Sequence, residues 1–293
     1  MKCGDVAHRR KRGKEIMCGF FDYKYFIENY NGEDFHGIMH AVYIIICLIG
    51  IPMLIGHYMK KDQKAITRLL RFSAVFLAIE EVVKITWESY WDIVSGHGFN
   101  AGGILPLETC SLFIYCLIAA GFGRGRIREC ALAWMSSIGI LGGMSYIVVT
   151  NVLKWYPFFT YGAFHSLIFH FMMVFIGLLI PFSYYHRFRK VDMLYGFVPQ
   201  LLLAVIVIPL DYLMDWDYML LHHAGSVPVI EDLGKAFSAA GLPFLTTLVM
   251  LVVYFLLGSL IIRVNIHFQK NPIIVVDSRQ NARLPGITEK PAK

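Results

Sequence analysis

Apolar stretches of about 20 residues recur along most of this chain, each long enough to cross a hydrocarbon layer roughly 30 Å thick as a helix. A soluble core has no room for so much apolar surface: 57% of the 293 residues are hydrophobic and 16% are charged, with a mean hydropathy of +0.55. The pattern predicts an all-α polytopic bundle of seven transmembrane helices, near 38–58, 68–90, 103–122, 129–151, 160–182, 193–213 and 241–263. Residues 1–37 form an N-terminal tail and external segment in this reading, 38–265 the membrane domain, and 266–293 a cytoplasmic tail whose polar, proline-bearing end is expected to be disordered.

Charge sets the orientation. The formal charge of +6 comes from basic residues in short connections rather than from a patch suited to nucleic acid. Lys60, Lys61, Lys64, Arg68 and Arg71 cluster in one connection, Arg124, Arg126 and Arg128 in the next but one, and Arg187, Arg189 and Lys190 in a third. The positive-inside rule places these loops in the cytoplasm. The alternate connections hold Glu88 and Asp92 without Lys or Arg, only Lys154, and four acids against Lys235. The N-terminus is therefore expected outside and the C-terminus inside, in the plasma membrane if the source is bacterial. Trp87, Tyr90, Trp91, Trp155, Tyr156 and Trp216 fall at the external boundary, as an aromatic belt would. Lys and Arg within residues 1–16 precede a second methionine, Met17, and no function is rested on that stretch.

Six cysteines show no C-x-x-C spacing, so neither a zinc site nor a disulfide framework is indicated. No P-loop, dinucleotide fingerprint or zinc-protease motif is present. No cofactor and no metal are expected. The acidic run Asp211, Asp215, Asp217 with His222 and His223 could bind a divalent cation, but its spacing matches no standard ligand pattern, and it reads as a solvated loop.

Chemistry is expected at polar residues inside the spans, because an ionisable side chain in hydrocarbon needs a cavity or a partner. In the second span, helical spacing puts Lys84 within reach of Glu80 and Glu81, with Glu88 one turn beyond. One pair neutralises itself; the remaining glutamate needs a histidine, water or substrate amine. The third span is read as a helix from Leu105-Pro106-Leu107-Glu108-Thr109-Cys110, with proline in its first turn. The fifth contains His165, Ser166 and His170, of which Ser166 and His170 share a face. An imidazole at that depth can serve as general base to a thiol or hydroxyl, or be fastened into the bundle.

Leu105-Pro106-Leu107-x-x-Cys110-Ser111, a glutamate-bearing span before it, a Gly-rich fourth span, a histidine in the next and Asp217-Tyr218 after the sixth together resemble the YwaF family, which includes the animal transmembrane protein 164. The resemblance covers roughly residues 38–265. It implies a cysteine-dependent acyltransferase acting on membrane (lyso)phospholipids, with Cys110 as nucleophile and His170 or else His165 as base; Glu108 is counted with this catalytic set, and Glu80, Glu81, Lys84, Asp217 and Tyr218 are expected to bind or orient. The chain departs from the family in having Glu108 where histidine is usual and Asp217 where asparagine precedes the tyrosine. Two other readings of the same residues are a small-cation or proton transporter or ligand-binding seven-helix module, and a scaffold whose polar groups only join helices.

Overall fold

The computed structural model describes residues 20–21, 37–96, 98–148, 156, 160–224 and 228–271. The tail expected at 272–293, most of the N-terminal segment, and Trp155 of the aromatic belt lie outside the described residues. Every regular element described is helical: α1 (Ile38–Tyr58), α2 (Gln63–Val94), a short α3 (Ala101–Ile104), α4 (Leu112–Phe122), α5 (Gly125–Trp134), a π-helical turn (Met135–Gly139), α6 (Ile140–Val148), α7 (Tyr161–Phe182), a short α8 (Asp192–Tyr195), α9 (Val198–Met214), a 3-10 turn (Tyr218–Leu220), α10 (Pro228–Ala239) and α11 (Phe244–Lys270).

Five segments are long and apolar enough to cross a membrane: Ile38–Tyr58, Gly125–Val148, Tyr161–Phe182, Asp192–Met214 and Phe244–Lys270. The second expected span falls in α2, whose 32 residues make it the longest helix. At 1.5 Å per residue that is about 48 Å, but Glu80, Glu81, Lys84 and Glu88 break its apolar run. The last helix continues to Lys270, beyond the expected limit of the membrane domain at 265.

The third expected span requires correction. It is not one helix over 103–122: α3 stops at Ile104, residues 105–111 turn, and helix resumes at Leu112. Pro106 lacks an amide proton and biases the residue before it to extended backbone, and Leu105 is extended, at φ −66° and ψ 142°. The Tyr115 hydroxyl donates to the Pro106 carbonyl at 3.1 Å and fixes the bend. At the other end of α4, Arg71 Nε donates to Gly121 O at 2.8 Å and Arg128 Nε to Ala120 O at 3.2 Å. Two guanidiniums thus satisfy carbonyls that a helix C-terminus leaves open and complement its dipole.

Small residues let the helices approach. A Cβ on Gly121 would sit 3.3 Å from the Arg71 backbone, and one on Gly177 would sit 2.6 Å from the Met135 carbonyl oxygen. The second contact seats α7 against the π-helical turn. Asn265 Nδ2 donates to Ser136 O in that turn at 2.9 Å, giving its displaced backbone a partner from α11. The core centres on buried Trp134, Phe113, Leu117, Met173, Phe175 and Ile176. Of the aromatics expected at the boundary, Trp87 is buried and both Trp87 and Trp91 donate to Phe21 O at 2.8 Å, while Tyr90 is exposed.

Candidate functional site

On α2, Lys84 Nζ lies 3.2 Å from Glu81 Oε1 and 3.8 Å from Glu88 Oε2, one partner a turn before it and one a turn after. Glu80 turns away from Lys84. Its Oε2 accepts from Tyr161 Oη at 3.2 Å and lies 3.7 Å from His165 Nδ1. The other nitrogen of that imidazole, Nε2, is 3.6 Å from Glu81 Oε2. His165 is therefore flanked by two carboxylates, one near each ring nitrogen. Tyr156 Oη donates to Glu88 Oε1 at 2.5 Å and closes the chain of charges.

His170, one turn further along α7, has different surroundings. Its Nδ1 lies 2.8 Å from the Ser166 carbonyl oxygen. A carbonyl only accepts, so Nδ1 carries the proton and a neutral His170 presents its lone pair at Nε2. The ring stacks on Tyr146, with centroids 3.5 Å apart and planes 5° from parallel. Tyr146 Oη is in turn 2.7 Å from Ser166 Oγ. Two contacts from α6 and α7 thus fix both the tautomer and the ring plane of a buried histidine.

Cys110 comes from the 105–111 bend rather than from within a helix. Its sulfur lies beside the Ser111 amide and feels the charges of Glu108, Lys84 and Glu81; Tyr146 in turn feels Cys110. No hydrogen bond joins Cys110 to His170 or His165 among the described residues. The bend is fastened from afar. Trp134 Nε1 donates to Gln200 Oε1 at 3.0 Å, Gln200 Nε2 donates to Thr109 Oγ1 at 3.3 Å, and Thr109 Oγ1 lies 3.3 Å from Tyr254 Oη, which donates to Met219 O at 3.0 Å. This relay from α5 through α9 and α11 flanks Cys110 on its N-terminal side. Sequence reasoning passed over Gln200 and Tyr254; a fully buried amide in an otherwise apolar span was the signal available for the first.

Glu108 points to the same region and accepts from the Met219 amide at 3.2 Å. Met219 and Leu220 have φ of +57° and +56°, a left-handed backbone that costs roughly 1–2 kcal/mol per residue for a side chain with a Cβ. The segment is held there by neighbours. Asp217 Oδ1 accepts from the amides of His222, His223 and Ala224, and Tyr218 Oη donates to Ala101 O at 2.6 Å. Asp217 and Tyr218, expected to bind or orient substrate, are thus placed to shape the loop that reaches Glu108.

Glu108 is exposed, Cys110 and Lys84 are partly accessible, and His170 is buried. A thiol, a carboxylate and an ammonium thus fall within electrostatic range of one another, and Tyr146, on which the His170 ring stacks, is in range of the same thiol. Among the described residues, the one set of three metal-ligating side chains lies apart from this polar cluster, at Asp215, His222 and His223.

The sequence profile of the TMEM164 family matches residues 33–268, a stretch that includes the 105–111 bend and both α7 histidines. The chain belongs to the TMEM164 family. It is an integral membrane protein of that family, and the match extends over every helix from α1 to α10 and nearly all of α11. Comparison with curated proteins and with solved structures gives no match.

Proposed function

We propose that this TMEM164-family protein is a membrane-embedded acyltransferase acting on membrane phospholipids, with Cys110 carrying the acyl group and His170 serving as base. The observation that carries the reading is the pairing of His170 Nδ1 with Ser166 O, which leaves Nε2 as the basic atom in the region of an accessible thiol. In the first step the Cys110 proton passes to His170 Nε2 and the thiolate attacks the ester carbonyl of a donor phospholipid. The carbon–oxygen bond breaks, and the leaving lysophospholipid oxygen takes the proton from His170. In the second step the hydroxyl of an acceptor lysophospholipid gives its proton to His170 and attacks the thioester carbonyl; the carbon–sulfur bond breaks and the Cys110 sulfur takes the proton back from His170. This chemistry requires the Cys110 thiol to reach His170 Nε2, directly or through water.

His165 has a different role in this account. Its two carboxylate contacts hold α2 to α7 and keep Lys84 and Glu81 beside the sulfur, where the ammonium offsets negative charge formed at the carbonyl oxygen. Glu108, standing where the family usually has histidine, anchors the Met219 loop beside Cys110. Seven crossings accompany the proposal, with α2 and the short α4 completing the five apolar spans and the Arg- and Lys-bearing loops on the cytoplasmic side.

The succession Tyr156, Glu88, Lys84, Glu81, His165, Glu80 and Tyr161 favours a second reading, passage of a proton or small cation. Proteoliposomes separate the two. Incubation with phospholipid, followed by mass spectrometry, yields a hydroxylamine-sensitive acyl adduct on Cys110 if the chain is an acyltransferase. Proton flux without any adduct supports the second.

A further inference from the structure

The loop after α9 holds a constellation separate from the cluster around Cys110. Asp215 Oδ1 lies 2.9 Å from His223 Nε2 and 3.7 Å from His222 Nδ1, and one donor atom from each of the three residues falls within 4.8 Å of the others. Two imidazoles and one carboxylate converging from one side are a donor set for zinc-class divalent ions, which bind His nitrogen and carboxylate oxygen at about 2.0–2.2 Å.

The backbone is prepared for this convergence. Asp215 takes a left-handed conformation at φ +56°, reversing the chain at the end of α9. Asp217 Oδ1 gathers the amides of His222 and His223, at 3.0 and 2.8 Å. The ring of His222 packs on Tyr212, with centroids 4.4 Å apart, so one ligand is already ordered. A second, independent observation concerns charge. Asp211 is fully buried and its Oδ2 has no hydrogen-bond partner among the described residues, while its carboxylate and those of Asp217 and His223's imidazole lie within electrostatic range of one another. The nearest lysine along the chain, Lys235, is paired with Glu231 at 2.7 Å. Asp211 Oδ2 is therefore a buried carboxyl oxygen near the cluster that a bound cation or its water would satisfy.

We propose that Asp215, His222 and His223 bind one divalent transition-metal ion of the zinc class, with Asp211 as a nearby buried countercharge. The ion replaces the proton on His222 Nδ1, releasing that nitrogen from the Trp216 carbonyl 3.1 Å away, and water fills the remaining coordination positions. Because Met219 belongs to the same loop and donates to Glu108, a bound ion braces the loop that holds Glu108.

Zn2+ titration by calorimetry, using the full chain in lipid nanodiscs, tests the proposal without any assay of catalysis. Wild type should bind one ion that Asp215→Asn and His223→Ala each weaken by about tenfold or more. Asp215 is exposed, so its substitution leaves the fold intact. Co2+ loaded in place of zinc should give visible bands of nitrogen and oxygen ligation. Zinc binding equal in wild type and both variants, no saturable binding by wild type, or a thiolate-to-cobalt charge-transfer band would each overturn the assignment.

Discussion

His170 Nδ1 and the Ser166 carbonyl oxygen, 2.8 Å apart, decide which nitrogen of this buried imidazole can accept a proton. His165, five residues earlier on the same helix, instead sits between two carboxylates, with Glu80 and Glu81 flanking it at 3.7 and 3.6 Å. The two histidines should therefore respond differently to substitution. His170→Gln should lower acyl transfer by roughly 10²–10⁴-fold, the range for loss of a general base. His165→Gln retains hydrogen-bonding capacity toward the glutamates and should leave most of the rate. Equal losses in initial rates of acyl exchange would contradict the assignment.

Lys84 stands between Glu81 and Glu88, so removing it takes the ammonium from two buried carboxylates, leaving Tyr156 on Glu88 and His165 near Glu81. Lys84→Met should destabilise the protein by about 3–5 kcal/mol, the usual cost of breaking a buried ion pair from one side. Adding Glu81→Gln should recover part of the loss, since the neutral amide no longer needs a counter-charge. Thermal denaturation of the single and double variants in one detergent measures both quantities, and a double variant less stable than Lys84→Met would refute the pairing.

Gln200 joins Trp134 to Thr109 and is itself fully buried. Gln200→Leu leaves the buried Trp134 indole N–H without its partner, at a cost of about 1–3 kcal/mol, while the Thr109 hydroxyl keeps Tyr254. The larger effect expected is local. Release of Thr109 should loosen the 105–111 bend, raising amide hydrogen exchange there more than in α1. Exchange raised uniformly over the helices would show that the amide only stabilises the bundle.

Gly177 faces the π-helical turn with 2.6 Å between a built Cβ and the Met135 carbonyl oxygen. A backbone oxygen cannot rotate aside, so Gly177→Ala should cost about 1–3 kcal/mol through overpacking. Gly56→Ala, where a Cβ meets nothing within 4 Å, is the matched control and should change the melting temperature little.

Much of the bundle is legible in the sequence because hydropathy is a local property: the spans expected at 38–58 and 160–182 fall on α1 and α7 almost residue for residue. The break at 105–111 was not. A proline in a first turn and a proline in a bend look alike along the chain, and what separates them here is Thr109 held by Gln200 and Tyr254 from other helices. Long-range pairing hid the site in the same way. Spacing along α2 brings Lys84 equally near Glu80 and Glu81, and only the arrival of His165 and Tyr161 from α7 draws Glu80 away. The cysteine and both histidines were visible as polar residues in apolar surroundings. Their division of labour depends on a carbonyl and two carboxylates that no spacing rule could assign.

Acyl exchange onto a lysophospholipid, measured for wild type and Cys110→Ala in nanodiscs with a lipid-like thiol-reactive probe in parallel, tests the central claim most directly. The account predicts labelling and exchange in wild type and neither in the variant. Exchange that persists without the Cys110 sulfur, or a wild-type protein that neither labels nor exchanges, would contradict it.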